Sequence, residues 1–380
     1  MKEALLFLFF SISLSAQKTT ELIKSNQLDE TREIIVSLPP SYESNPTKKY
    51  PILLLLDGDY LFEPFQGALD YGEYWDDLPE TIIIGIKQKN SRTDDCAFDE
   101  TEGTPTKRSA AFYNFIGEEL MPFVEKKYRV AAFRIIAGHD TTAGFLNFFL
   151  YKENPFFNAY ISLSPELAPD MENQIAKSLT NTKKNLFYYQ SSADGDIKQL
   201  REPVEKLDAS IKAITNPLVN YQYDQFKNAS HYSLVLYSIP NALYQIFDSY
   251  KPISSTEFSE KIVILPSGYV DYLIKKYQTT TEKLGINIRV RINDLKAIEA
   301  AILKNKAYDE LEKLAQIASK NYPKSMLSDY ELGLMYEKKG DAKKAAQKFQ
   351  RASQLEEIGN LTKEMMYNKY DDMKSLTVKK

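Results

Sequence analysis

Two short runs set the character of the amino-terminal part of the chain. Ile52-Leu53-Leu54-Leu55-Leu56 and Thr81-Ile82-Ile83-Ile84-Gly85-Ile86 contain no polar alternation, the pattern of a central parallel strand covered on both faces. Thr31–Leu38 alternates moderately and predicts an earlier strand that ends at Pro39-Pro40. Ala110–Lys127 has helical spacing instead, with Phe112, Phe115, Ile116, Leu120, Phe123 and Val124 on one side. Further strands are predicted at Ile135–Ala137, Asn158–Leu163, Asn185–Gln190 and Val219–Phe226. Strands alternating with helical segments predict an α/β fold with a doubly wound, mostly parallel sheet. One junction stands apart: Ile135-Ile136-Ala137 breaks at Gly138-His139-Asp140 and resumes as apolar Ala143 to Leu150, a buried strand turning sharply into a helix.

The last third changes character. Lys296–Lys320 and Leu327–Glu357 are rich in Ala, Leu, Lys and Glu. The second contains Tyr330-Glu331-Leu332-Gly333-Leu334-Met335-Tyr336, the turn Gly340-Asp341, and Ala345-Ala346 with Phe349. This resembles a tetratricopeptide repeat; a plain helical hairpin closing the domain is the alternative. Two repeats at best are present, whereas about three usually make an independent solenoid, so the small all-α module is expected to lean on the preceding domain. Residues 1 to 16, with Lys2, the apolar block Ala4–Phe10 and small residues up to Ala16, read as a secretory signal peptide. The expected division is 1–16 signal peptide, 17–250 α/β domain, 251–295 connection containing Pro252, Pro266 and Gly268, and 296–380 helical module. A formal net charge of −4 argues against nucleic acid as the main partner. The single Cys96 leaves no internal disulfide and no cysteine metal cage. The expectation is an exported, soluble protein, periplasmic or extracellular, with no membrane span.

The motifs together resemble a known family. Leu38-Pro39-Pro40-Ser41-Tyr42, Leu54-Leu55-Leu56-Asp57-Gly58, Ile84-Gly85-Ile86 followed by Arg92-Thr93-Asp94, Glu119-Leu120-Met121-Pro122-Phe123-Val124-Glu125, Ala137-Gly138-His139 and Leu163-Ser164-Pro165 occur in order. Across residues 28 to 250 they are similar to the secreted putative-esterase family of α/β-hydrolases, whose members include siderophore, feruloyl and S-formylglutathione esterases. The resemblance implies a nucleophile at the strand-to-helix turn, within Gly-x-Ser-x-Gly. Here Asp140 stands at the serine position and Thr142 at the second glycine. It also implies a histidine after the last strand, His231, an acid after the preceding one, Asp194 or Asp196, and oxyanion-hole amides at Gly58, Asp59 and Thr141. The chain has two histidines, His139 and His231, and both lie on motif positions; an ordinary loop or core histidine is the alternative for His231. The pattern calls for no cofactor, and two histidines separated in this way make no histidine-rich metal site.

Asp140 leaves three readings open. In the first it is a nucleophile, as in haloalkane dehalogenases and epoxide hydrolases, leaving an ester that a His231-activated water hydrolyses. In the second, catalysis has ended and the pocket binds a cationic or hydroxyl-rich ligand, or the domain holds a helical module that binds a partner. In the third, Ser162, Ser164 or Thr141 supplies a replacement hydroxyl. A β-branched Thr142 where glycine allows close approach is expected to relax the turn, and an oxyanion hole tolerates about half an ångström of displacement. The second reading, a binding pseudoenzyme on an esterase scaffold, is therefore the expectation, with an aspartate-based ester, epoxide or halide hydrolase as the alternative.

Overall fold

The computed structural model describes residues 17–378. The expected signal peptide, 1–16, lies outside the described residues. The chain divides into two compact units between Asp248 and Ser249.

The first unit is built on eight strands: β1 (Gln17–Ser25), β2 (Glu30–Leu38), β3 (Tyr50–Leu55), β4 (Ile82–Ile86), β5 (Val130–His139), β6 (Ala159–Leu163), β7 (Leu186–Gly195) and β8 (Val219–Ser230). They lie in one sheet in the order β1-β2-β4-β3-β5-β6-β7-β8. β3 to β8 are mutually parallel, while β2 runs antiparallel to both β1 and β4. β1 was not expected, because Gln17-Lys18-Thr19-Thr20-Glu21 carries no apolar alternation; its nine-residue register with β2 sustains it. The helices of this unit are α1 (Gly58–Tyr74), α2 (Arg92–Cys96), α3 (Lys107–Asn114), α4 (Met121–Lys127), α5 (Thr141–Phe145), α6 (Met171–Asn181), α7 (Lys198–Lys212) and α8 (Leu234–Ile246). A π-helical turn, Phe115–Leu120, joins α3 to α4, so the helix predicted over 110–127 forms as one interrupted segment.

Every residue of β3, β4 and β6 is buried, which is why their sequences show no polar alternation. The side chains of Ile52 to Leu56 are all 0 % exposed, and burial of five such groups contributes roughly 10 kcal/mol, an upper figure before chain entropy is charged against it. β3 lies between β4 and β5, the point where strand order reverses. In open α/β sheets that reversal leaves a crevice beyond the carboxyl ends of the strands.

The second unit is helical. It contains α9 (Ser255–Glu257), α10 (Tyr269–Leu284), α11 (Ile292–Asn305), α12 (Glu310–Asn321), α13 (Leu327–Lys338), α14 (Ala342–Ala352) and α15 (Lys363–Val378), around a core that includes Leu273, Ile298, Ile302, Leu311 and Phe349. The stretch 251–295, expected as a connection, is instead part of this unit. Its glycines bound a helix: Gly268, at φ 81°, immediately precedes α10 and Gly285 follows it, and Tyr269, Val270 and Leu273 are fully buried. Gly340 and Asp341 form the turn between α13 and α14, where the Asp341 side chain accepts from the Lys344 amide at 3.1 Å and caps α14.

Candidate functional site

The crevice collects residues from the carboxyl ends of six strands. Asp57 follows β3, Gln88 follows β4, Asp140 follows β5, Ser164 follows β6, Asp196 follows β7 and His231 follows β8. None of these neighbours is close in sequence; the parallel sheet alone brings them together.

Asp140 occupies the turn between β5 and α5 at φ 61° and ψ −122°, a conformation that costs of order 1–3 kcal/mol in a residue with a side chain. Backbone bonds hold it there. Its amide donates to the Leu163 carbonyl at 2.9 Å, and its carbonyl accepts from Gly144 at 3.0 Å and Glu166 at 3.1 Å. Thr142 does not relax this turn, contrary to expectation. Its side chain is fully buried; its hydroxyl accepts from the His139 amide at 2.9 Å and lies 2.7 Å from Asp57 Oδ2. The close approach that glycine permits has moved two residues along: a Cβ on Gly144 would sit 1.9 Å from the Glu166 carbonyl oxygen.

His231 Nδ1 donates to Asp196 Oδ1 at 2.8 Å, and its Nε2 faces Asp140 Oδ1 at 3.7 Å. Burial works to raise the Asp196 carboxyl, but hydrogen bonds from His231, the Ala193 amide and Ser164 outweigh it and hold the group below its ordinary value. Asp140, His231 and Asp196 are thus in one line. Asp194 stands outside it: its side chain is exposed, and its carbonyl lies 3.5 Å from Arg201 Nη1. The physical reason is the end of β7, where the Asp196 amide bonds back to the Ala193 carbonyl at 3.1 Å, folding Asp196 inward and leaving Asp194 on the rim. Gly58 and Asp59 lie in the first turn of α1, and Thr141 in the first turn of α5, where helix geometry gives amides no carbonyl within the helix. The Asp59 carboxylate accepts from the Gln88 and Lys89 amides at 2.7 and 2.9 Å.

The serine and threonine hydroxyls are committed elsewhere. Ser162 donates to the Ala143 carbonyl at 3.0 Å, Thr141 to Glu166 Oε2 at 2.9 Å, and Ser164 to Asp196 Oδ1 at 2.8 Å. Ser164 therefore sits on the Nδ1 side of His231, away from the nitrogen that faces Asp140.

A second network, to which the sequence reading gave no role, surrounds Asp140. Arg92 Nε donates to Asp57 Oδ1 at 2.8 Å, Nη2 to the His139 carbonyl at 2.7 Å, and Nη1 to Asp140 Oδ2 at 3.3 Å. Desolvation raises the Asp57 carboxyl, against the pull of Arg92, Thr142 and Tyr60. The Tyr60 hydroxyl is 3.0 Å from both Asp57 Oδ2 and His139 Nδ1. His139 Nε2 meets the His231 carbonyl at 3.0 Å; since a carbonyl only accepts, Nε2 carries the proton and Nδ1, beside the Tyr60 oxygen, is the unprotonated nitrogen. Burial, and then the neighbouring His231, lower His139 to about 4, so it is neutral at physiological pH.

The profile described as Putative esterase matches residues 25–237, more than half of the chain. The chain belongs to the putative esterase family. Among solved structures, an uncharacterised protein from Capnocytophaga ochracea DSM 7271 is 28 % identical, with a TM-score of 0.87 over 94 % of this chain and 100 % of its own. The IroE-like serine hydrolase from Shewanella oneidensis shares the fold at 17 % identity and a TM-score of 0.60, covering 80 % of this chain and 99 % of its own. The siderophore hydrolase EstB from Aspergillus nidulans does so at 15 % identity and a TM-score of 0.51, covering 66 % and 98 %. No curated protein matches the chain.

In this esterase-family site, Arg92, Asp57 and Tyr60 are the residues whose roles the sequence did not disclose. Asp57 and Arg92 lay inside matched motifs, and that was their only signal. Asp140, Arg92 and His231 keep 26 %, 26 % and 17 % of their side-chain surface in solvent, so a ligand can reach all three. Tyr60, at 45 %, and Tyr232, at 80 %, flank them, each set edge-on to His139.

Proposed function

We propose that this esterase-family protein uses the Asp140 site to bind a cationic or hydroxyl-rich small molecule and does not hydrolyse esters there. The observation that carries the reading is the Arg92–Asp140 pair, with Nη1 3.3 Å from Oδ2. It ties Oδ2 of the carboxylate to a guanidinium, while Oδ1 faces His231 Nε2 at 3.7 Å. A carboxylate attacking an ester carbonyl forms an anhydride in place of an acyl-serine. An oxyanion developing beside Asp140 and Glu166 would also be repelled. A hydroxyl or ammonium group is the better fit, since it can donate to these carboxylates, and the exposed Tyr232 ring lies against His231 beside Asp140.

A second reading has its own support. His231 pairs with Asp196 at 2.8 Å and has Nε2 3.7 Å from Asp140 Oδ1, which supports the relation an aspartate-nucleophile hydrolase needs for its second step. In oxygen-18 water such an enzyme leaves label in the elbow peptide after one turnover, and His231→Gln traps a covalent ester there. We expect neither with halide, epoxide or ester substrates, and negligible turnover of short p-nitrophenyl esters. Label at Asp140 with any substrate would overturn the binding reading in favour of the hydrolase. Export, directed by residues 1–16, belongs to the same proposal, as does a tetratricopeptide-like character for the helical unit.

A further inference from the structure

The helical unit buries a carboxyl without a counter-charge. Glu331 of α13 is 1 % exposed, and its Oε2 accepts from no N–H or hydroxyl. The group that meets it is another acid, Glu299 of α11, side chain hydrogen-bonded to side chain. Two ionised carboxylates cannot share such a contact away from water, so a proton lies between them. The surroundings decide which acid carries it. The Tyr330 hydroxyl donates to Glu299 Oε1 at 3.1 Å, and Lys296 and Lys369 attract the same carboxylate, so Glu299 accepts and Glu331 donates. Burial, then Glu299, push Glu331 well above its ordinary value. Among the described residues no cation relieves it. Lys369 of α15 is bound to Glu337 at 2.8 Å. Lys348 and Arg351 of α14 bond Asp329 at 3.0 and 3.1 Å, two residues and so about 200° round the helix from Glu331. Glu310 and Lys313 of α12 face α10 instead, at the Gly268 amide and at Asp271.

We propose that Glu331 and Glu299 form a proton-held latch between α13 and α11: one shared proton keeps it closed at and below neutral pH, and loss of that proton in alkali drives the two helices apart. Opening exposes both acids to water, where each returns to the ordinary value near 4.5. Between that value and the raised folded one, opening releases the proton, so the opening constant rises about tenfold per pH unit. Stability from the latch is complete below 4.5 and lost as pH rises through the folded value. This is the reverse of the acid sensitivity that a neutral His139 gives the first unit. Nothing in the Asp140 site takes part, since every group of the latch belongs to the second unit.

Two measurements on the full-length protein test it. At pH 7 the infrared difference between the native protein and Glu331→Gln shows the carbonyl band of a protonated carboxylic acid, and the band disappears from the native protein in alkali. Amide hydrogen exchange read by mass spectrometry, corrected for the intrinsic rate, follows opening locally. Peptides from Ile292–Asn305 and Leu327–Lys338 lose protection about tenfold per pH unit between pH 5 and 7, about a hundredfold in all. In Glu331→Gln the slope vanishes, because the amide donates to Glu299 without titrating. Glu331→Met, which needs no partner, gives the same flat profile and serves if the glutamine variant does not fold. Absence of the difference band at pH 7, or equal slopes in the native protein and both variants, overturns the proposal. So does a rise in melting temperature with calcium or magnesium that Glu331→Gln abolishes, which would make the pair a metal site.

Discussion

His139 makes the acid sensitivity of the site calculable. It is held neutral, with its ordinary value near 6.5 lowered to about 4 by burial and by the neighbouring His231. The unfolded chain therefore binds a proton as pH falls through 6.5, whereas the folded chain resists until about 4. Stability contributed by the neutral ring is complete above 6.5, declines between 6.5 and 4, and is lost below that. A difference of about 2.5 units at 1.36 kcal/mol each is about 3 kcal/mol. For a domain of 150–250 residues this lowers the melting temperature by about 6–12 °C. The Asp196 carboxyl, held below 3.8, gives up its stabilisation only as pH falls through its depressed folded value, beneath this window. The assay is thermal unfolding from neutral pH to pH 4 in the native protein and in His139→Gln, the difference between the two curves isolating the ring. With two histidines in the chain, His231→Gln assigns both imidazole NMR signals. Equal pH slopes in the two proteins, or a His139 ring titrating near 6.5, would refute the reasoning. The consequence for the site is direct, because protonating His139 places a new charge at Nδ1, between Tyr60 and the ring that holds the His231 carbonyl.

Two further outcomes follow from the buried network. Thr142→Val keeps the shape but leaves the His139 amide and Asp57 Oδ2 each short of a partner; urea unfolding should show a loss of about 1–3 kcal/mol, recovered by Thr142→Ser. Arg92→Met leaves Asp57 buried without its counter-charge and should cost about 3–5 kcal/mol, with Asp57→Asn in the same chain restoring much of it.

The sheet was legible because burial on both faces erases polar alternation, and Ile52–Leu56 and Ile82–Ile86 could hardly be anything else. β1 was not, because an edge strand such as Gln17–Ser25 is stabilised by pairing with β2 and its sequence stays polar. Pro252, Pro266 and Gly268 were read as a linker, since breakers signal helix starts and loops alike until the burial of Tyr269 and Leu273 is seen. At the site, turn chemistry placed Asp140 and His231, but spacing could not choose between Asp194 and Asp196: the choice depends on how the chain leaves β7. Arg92 was beyond reach for a related reason. It lies 48 residues before Asp140, and only the reversal of strand order beside β3 puts α2 against the elbow.

Thr142 teaches more about the elbow than its absent glycine suggested. The strained conformation at Asp140 is held by three backbone hydrogen bonds, to Leu163, Gly144 and Glu166, and none involves the residue's own side chain. The tight packing falls on Gly144 and on Gly138, where a Cβ would lie 2.8 Å from Thr142 atoms. The Thr142 hydroxyl then serves the His139 amide and Asp57, and through Asp57 it steadies Arg92. The turn is therefore independent of the group it presents, and the chemistry of the site is decided at the tip of residue 140 and by the guanidinium beside it. Arg92 serves the buried Asp57 carboxylate at 2.8 Å and reaches Asp140 Oδ2 at 3.3 Å, so one guanidinium joins the two acids. The Asp140 carboxylate and its ion pair with Arg92 form one electrostatic arrangement, and the proposed binding reading rests on that pair and needs no distortion of the elbow.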